Sequence, residues 1–234
     1  MADKPFSPAC ERNQGPIADG LDPWMRDRRR LLEIGSGTGQ HAAFFAARWR
    51  HLQVQPSDHP EHLAGIQAWR DESALPNLLP PFALQAAVPP AEPLALPTAT
   101  PAFDAVFSAN TLHIMRWPQV QALFVGLPSL MAPGALLAIY GPFNDEGRFT
   151  STSNAQFDAW LRARDPHSGL RDAGAVQALA HAQGLHLQQD SAMPSNNRLL
   201  VWRMERARRG PPAQPGHRPG AGMRHGAGHG WPAA

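Results

Sequence analysis

The densest cluster of residues able to do chemistry is Glu33-Ile34-Gly35-Ser36-Gly37-Thr38-Gly39. Its three glycines permit positive φ and let the backbone approach a ligand closely, while a helix starting just beyond them offers free N–H groups. A nucleotide-like cofactor is the natural occupant; a glycine-rich turn without a ligand is the plainer alternative. Dinucleotide-binding turns carry the spacing G-x-G-x-x-G, and here the third glycine comes one residue early, with Gln40 in its place. Further along, polar or titratable residues follow apolar runs: Asp58, Asn110, His113, Tyr140 and Asn144.

For these side chains to converge, the apolar runs must be strands of one sheet. Residues 31–34 read as a buried strand running into the glycine turn, and 41–50, rich in Ala and Phe without a breaker, as a helix. Residues 52–56 predict a second strand ending at Ser57-Asp58, and 61–73 a helix with Leu63, Ile66 and Trp69 at near-helical spacing. A third strand is expected over 82–88, a fourth over 103–107, a helix over 120–131 and a fifth strand over 135–140. Such alternation argues for an α/β sandwich with a parallel sheet covered on both faces, because parallel neighbours need a crossover. Residues 141–154 read as a polar connection, and 155–164 and 173–183 as helices. Residues 185–189 and 198–204 read as a closing hairpin that sets one antiparallel strand in the sheet.

A chain of 234 residues suits one domain. Its 25 prolines and 20 glycines are many for a compact fold. Residues 205–234 lack apolar periodicity and are expected to be a disordered Gly/Pro/Arg/His-rich tail. The formal charge is +2 with a pI near 9.3, and Arg206, Arg208, Arg209, Arg218 and Arg224 place much of the basic excess in that tail. No specific nucleic-acid footprint follows; the tail supports only non-specific, salt-sensitive contact. The single cysteine, Cys10, excludes an internal disulfide, which fits the cytoplasm, and its neighbour Glu11 would not activate a thiolate. No run of about 18 apolar residues occurs and the first residues have no apolar core, so neither a membrane span nor a signal peptide is expected. His217, His225 and His229 are irregularly spaced, and no metal site is expected.

The pattern E-x-G-x-G-x-G resembles motif I of class I S-adenosylmethionine (SAM)-dependent methyltransferases. That resemblance implies a Rossmann-like fold with a seven-stranded, mostly parallel sheet, and SAM as cofactor. It sets Glu33, Gly35, Ser36, Gly37 and Gly39 against the amino-acid part of the cofactor and Asp58 on its ribose hydroxyls; an Asp that caps a helix is the alternative at 58. Several segments resemble the methyltransferase-like 26 family more closely: Ala9-Cys10-Glu11-Arg12-Asn13 with Pro16-Ile17, Gly37-Thr38-Gly39-Gln40-His41-Ala42, Gln55-Pro56-Ser57-Asp58, Ala109-Asn110-Thr111-Leu112-His113, Tyr140-Gly141-Pro142-Phe143, Ser153-Asn154 with Phe157-Asp158, Gly169-Leu170-Arg171-Asp172 and Met193-Pro194 with Asn196-Asn197. The likeness makes residues 1–204 a methyltransferase domain in which 1–29 form a cap or lid. It departs at Leu84-Gln85-Ala86, where the family usually has Leu-Asp-Val. Gln85 can still accept from an adenine amino group, without a charge.

Given that resemblance, residues at the carboxyl ends of strands four and five face the reaction. Methyl transfer needs an aligned acceptor and, for a neutral oxygen or nitrogen, removal of a proton. His113 is the candidate general base, since it alone in that set titrates near neutrality unaided; a structural hydrogen-bonding role is its alternative. Tyr140 is a binding or catalytic candidate, or a core tyrosine with a satisfied hydroxyl. Asn110 would line the methionine end of the cofactor, and Asn13, Asn144 and Arg171 are candidate substrate contacts, Arg171-Asp172 reading first as a structural ion pair on a loop and second as a clamp for an acidic acceptor. The expected activity is methyl transfer to a small molecule by a monomer or homodimer. An NAD(P)-dependent oxidoreductase and a non-catalytic methyltransferase-like scaffold remain the competing classes.

Overall fold

In the computed structural model, residues 4–88, 91, 94, 97 and 100–205 are described. The tail expected beyond 205, with its histidines and arginines, lies outside them. The chain runs α1 (Pro8–Met25), β1 (Arg30–Ile34), α2 (Gln40–Arg48), β2 (Gln53–Asp58), a 3-10 turn (Pro60–His62), α3 (Leu63–Ser73), β3 (Phe82–Ala83), β4 (Phe103–Ala109), α4 (Trp117–Leu130) and β5 (Met131–Gly141). There follow β6 (Phe143–Asp145), β7 (Arg148–Phe149), α5 (Thr152–Arg164), β8 (Arg171–Asp172), α6 (Ala173–Ala182), β9 (Leu185–Met193), a 3-10 turn (Pro194–Asn196) and β10 (Asn197–Met204).

Seven strands form the main sheet in the order β3-β2-β1-β4-β5-β10-β9. The first five are parallel, and β10 is antiparallel to both its neighbours. This is the Rossmann-like α/β architecture, with β10 inserted between β5 and β9. Alternation along each strand divides the core in two. Leu32, Val106, Leu137 and Ile139 pack with α4 and α6 on one face, and Leu31, Phe107, Leu136 and Ala138 with α1 and α2 on the other.

Three differences from the sequence reading have physical causes. The third strand holds only Phe82–Ala83, an edge strand that pairs on one side alone. Residues 141–154 contain β6 and β7, which with β8 make a separate three-stranded sheet; too few apolar residues alternate there to announce strands. The third is α1, an 18-residue helix where no element was expected. Pro16 and Pro23 interrupt its pattern, yet Ile17, Ala18, Leu21 and Met25 fall on one buried face. Ser7 caps its start by accepting from Cys10 N at 3.3 Å, and at Gly20 an added Cβ would stand 2.8 Å from Leu199 of β10.

The second half of α1 is thus core rather than a loose cover. Leu21→Ala, at a fully buried position, is expected to cost about 2–4 kcal/mol in urea unfolding; a change below about 0.5 kcal/mol would mean that the helix is only loosely attached.

Candidate functional site

The glycine turn leaves β1 at the centre of the sheet and is fixed by backbone bonds. Ser57 O accepts from both Gly35 N and Ser36 N at 3.0 Å, and Ser36 O accepts from Gly39 N at 2.9 Å. Gly35, Gly37 and Gly39 all have positive φ. At Gly35 an added Cβ would lie 2.6 Å from Thr111 Oγ1, so the turn after β4 abuts the turn after β1. At Gly37 the same atom would meet nothing within 4 Å. The turn therefore opens at Gly37 and is closed at Gly35.

Glu33 lies beneath it, 1% exposed. Ser36 hydrogen-bonds its carboxyl, but Oε2 has no partner among the described residues. Burial, reinforced by the nearby charge of Asp58, pushes its pKa up to about 8. The His41 imidazole, 3.8 Å away, is pushed down to about 4 by burial, so two neutral groups meet there at pH 7. His41 Nε2 contacts Asn13 Oδ1 of α1 at 2.7 Å. The Asn13 and Asn197 side chains hydrogen-bond the Tyr140 phenol, whose pKa burial raises. Asn13 thus faces a polar seam between α1, α2 and the sheet, and Tyr140 is buried with its hydroxyl satisfied. Burial also pushes the Cys10 thiol up, with hydrogen bonds from Ser7 and Thr38 opposing.

Gln40, the residue in the third-glycine position of a dinucleotide turn, has its own task. Its Oε1 accepts from Ser7 N at 2.5 Å and from Thr38 Oγ1 at 3.0 Å, and its Nε2 donates to Ser7 O at 3.3 Å. Residues 4–7 are thereby laid across α3, where Pro5 O accepts from Trp69 Nε1 at 2.7 Å. A cavity of about 470 Å³ lies between this segment, the glycine turn and α3, lined by Pro5, Gly37, Thr38, His62 and Gly65 among others.

Asp58 ends β2. Its Oδ2 accepts from Gly37 N at 2.6 Å, while Oδ1 accepts from His59 N at 2.6 Å and lies 2.9 Å from His62 Nδ1. Three of about four lone pairs are engaged, so a ligand diol would take the free one and the place of the half-exposed His62 ring. Leu84 N donates to Asp58 O, and Gln85, just past β3, is exposed.

At the end of β4, Asn110 adopts positive φ and its N–H donates to Tyr140 O at 2.9 Å, tying the ends of β4 and β5 together. His113 is buried against Phe157, the rings edge to face at 5.2 Å. Burial first, then the positive charge of Arg171, push its pKa down to about 4, so it is a neutral acceptor at pH 7. Arg171 Nε donates to Leu112 O at 3.0 Å, and its Nη2 to Met115 O and His167 O. Gly169 N donates to His113 O, and Ser168 Oγ to Ile114 O. Four successive carbonyls of the His113 turn are thus held by the 168–171 segment, and the bonds shown give Arg171 a positioning part. Asn144, on β6, has a buried Oδ1 without a partner among the described residues.

Sequence reasoning missed His41, Thr111 and Gln40 as parts of this assembly. Only their place beside the glycine turn and beside Asn110 could have drawn attention to them. Among the described residues no group of three His, Cys, Asp or Glu side chains could hold a metal ion, and no helix is long and apolar enough to cross a membrane.

Solved structures share this architecture. An O-methyltransferase family protein from Burkholderia thailandensis is 18% identical with a TM-score of 0.70, the alignment covering 85% of this chain and 58% of that one. An O-methyltransferase family 2 protein from Planctomyces limnophilus, in complex with apigenin, is 15% identical with a TM-score of 0.67, covering 83% and 59%. Human N-acetylserotonin methyltransferase in complex with SAM is 13% identical with a TM-score of 0.64, covering 84% and 53%. The chain spans little more than half the length of these proteins, and at such identities the likeness is one of fold, that of the Rossmann-like methyltransferases. By sequence the chain belongs to the family described as Protein of unknown function (DUF938), which matches residues 4–204.

The raised pKa of Glu33 has a definite sign. Between pH 4.5 and about 8 the folded chain keeps a proton that the unfolded chain has lost, so this residue's contribution to stability falls as pH rises through that window. Glu33→Gln is expected to be more stable than the wild type at pH 8, by on the order of a few kcal/mol, and indistinguishable near pH 4. Melting curves across that range check it; equal pH slopes would place the charge elsewhere. Arg171→Met is expected to cost about 1–3 kcal/mol in denaturant unfolding, through the three carbonyls left unpaired.

Proposed function

We propose that the protein binds SAM and transfers its methyl group to a small-molecule acceptor. The carrying observation is the Glu33 carboxyl, buried under an open glycine turn with one oxygen unpartnered. A buried carboxylate is favourable only beside a cation. A ligand bearing an ammonium and a sulfonium supplies one, whereas the pyrophosphate of a dinucleotide would add like charge; this favours methyl transfer over NAD(P)-dependent oxidoreduction. The space at Gly37 and the remaining lone pair on Asp58 also fit an adenosyl ligand.

In this reading Glu33 and the turn at 35–39 hold the amino-acid end, Asp58 the ribose hydroxyls and Gln85 the adenine amino group, while Asn110 lines the methionine end. When bound, SAM supplies a methyl group already activated by the sulfonium charge. The chain's own residues then have to bind, align and accept a proton. In this reading His113, neutral at pH 7, accepts it, and Tyr140 and Asn13 shape the wall rather than react. Asn144, with its unpartnered Oδ1, is an acceptor contact. The segments that resemble the methyltransferase-like 26 family support kinship with it, the family match ending at 204 supports residues 1–204 as the domain, and a lone cysteine supports a reducing compartment such as the cytoplasm.

Thermal shift with S-adenosylhomocysteine against NADH tests the cofactor. S-adenosylhomocysteine is expected to raise Tm in a saturable way and NADH to leave it unchanged, with Glu33→Gln weakening the former by about ten-fold or more. Transfer of a radiolabelled methyl group to fractionated cell extract should label the metabolite fraction, and His113→Ala should lower that rate by about 10²-fold. Binding without labelling of any fraction would instead favour the non-catalytic scaffold.

A further inference from the structure

The carboxylate of Asp58 is held in place from two directions. Its main chain ends β2, where Asp58 O accepts from Leu84 N at 3.0 Å, and its Oδ2 accepts from Gly37 N at 2.6 Å. An ionised carboxylate only accepts, and each oxygen offers about two lone-pair sites. On Oδ2 Gly37 N takes one and leaves the other. On Oδ1 both are taken, by His59 N at 2.6 Å and by His62 Nδ1 at 2.9 Å. A vicinal diol that grips a carboxylate with both hydroxyls needs one site on each oxygen. It finds Oδ2 ready and Oδ1 full.

Of the two groups on Oδ1, His59 N belongs to the main chain next to β2, whereas His62 reaches Oδ1 with a side chain. That side chain is 48% exposed. His62 stands at the N-cap of α3, yet its side chain makes no capping bond there, so the helix start does not depend on the ring. Its other nitrogen, Nε2, stands 3.7 Å from Glu61 Oε1, beyond hydrogen-bond length. The residue also borders the cavity of about 470 Å³ shared with Pro5, Gly37, Thr38 and Gly65, which gives the ring room to turn while the main chain stays where it is.

We propose that His62 is an internal competitor for the ribose acid: in the free protein its ring fills the second site on Asp58 Oδ1, and a ligand with a free vicinal diol binds by displacing it. A ligand with one ribose hydroxyl is satisfied by Oδ2 and leaves the ring in place. His62 is then a specificity-determining residue that lowers the affinity for an intact ribose and narrows the preference for it over a deoxyribose. The inference rests on the reading of Asp58 as the ribose acid of a SAM site. Removing the ring therefore tightens binding, the opposite of what the loss of an ordinary contact does.

The test is calorimetric titration of the full chain, as wild type, His62→Ala and His62→Phe, with S-adenosylhomocysteine, its 2′-deoxy counterpart and NADH. His62→Phe keeps a ring of similar size and lacks the donor nitrogen. Both variants are expected to bind S-adenosylhomocysteine about three- to ten-fold more tightly than the wild type, with the affinity for the 2′-deoxy ligand changed by less than about two-fold. The ratio of the two affinities is taken within one protein, so a general loosening of α3 does not move it. An unchanged ratio, an equal gain for both ligands, or weaker binding of S-adenosylhomocysteine in the variants would overturn the proposal. So would a ratio that rises in His62→Ala but not in His62→Phe, since the obstacle would then be bulk. If NADH binds in place of S-adenosylhomocysteine and tightens in both variants, the methyl-transfer reading falls and the competition stands. Binding of S-adenosylhomocysteine with a flat ratio removes the competition alone, and the lack of saturable binding of any of the three ligands to any of the three proteins removes both.

Discussion

Taking a carboxyl group out of water at the end of a central strand is costly, and the site is arranged around that cost. Glu33 faces the side of the sheet covered by α1 and α2, since it alternates with Leu32 and Ile34 on the opposite face. Desolvation keeps it protonated near neutrality, and the same desolvation keeps His41 uncharged. Glu33 also helps to hold up the Cys10 thiol. A group of ionisable residues is thus held in its neutral forms without a cation nearby. Protein stability is small beside the desolvation of even one charge, so neutralisation is how the free fold accommodates this carboxyl. A bound cation would reverse the balance, and that makes the polarity of the pocket a property of its occupant as well as of the chain.

Rigidity around that pocket comes from short-range backbone bonding rather than from side-chain bulk. The glycine turn is fixed to Ser57 O, Asn110 to Tyr140 O, and the His113 turn to Gly169 N. Ser57 Oγ donates to Glu33 O at 2.6 Å and Ser108 Oγ to Ile34 O at 2.8 Å, so small hydroxyls bridge the ends of adjacent strands. Backbone groups at strand ends have lost their sheet partners and must find others; here most find each other, and the mouth of the sheet becomes one bonded surface. Glu33 Oε2 and Asn144 Oδ1 stand out because they do not share in it.

What could be read from the sequence follows from the range of the interactions concerned. The alternation of strands and helices, the glycine turn and the antiparallel closing strand are local patterns, and four of the five parallel strands stand where periodicity put them, the third being cut to Phe82–Ala83. The helix α1 escaped because two prolines and a low apolar content masked its periodicity, although Ile17, Leu21 and Met25 follow it. The separate small sheet escaped because β8 pairs with β6 across some 25 residues, a contact that no local window contains. For the same reason Asn13 could be marked as a candidate but not as a bridge between His41 and Tyr140, whose meeting requires three elements to be packed. Arg171 left two readings open in the sequence, a clamp or a structural cation; only the positions of three carbonyls favour the second.

The sheet itself separates two tasks. Residues that project from β1 and β5 toward α1 and α2, Glu33 and Tyr140, meet the polar seam that ends at Asn13, whereas Leu112, just before His113, belongs to the core shared with α4 and α6. One side is polar, enclosed and built around a suppressed charge; on the other the His113 ring packs against Phe157, which stacks on Trp160. Asn110 lies between them, in left-handed conformation, bonded to the end of β5 and next to the Thr111 side chain that closes the glycine turn. A change in that single turn would therefore act on both sides together.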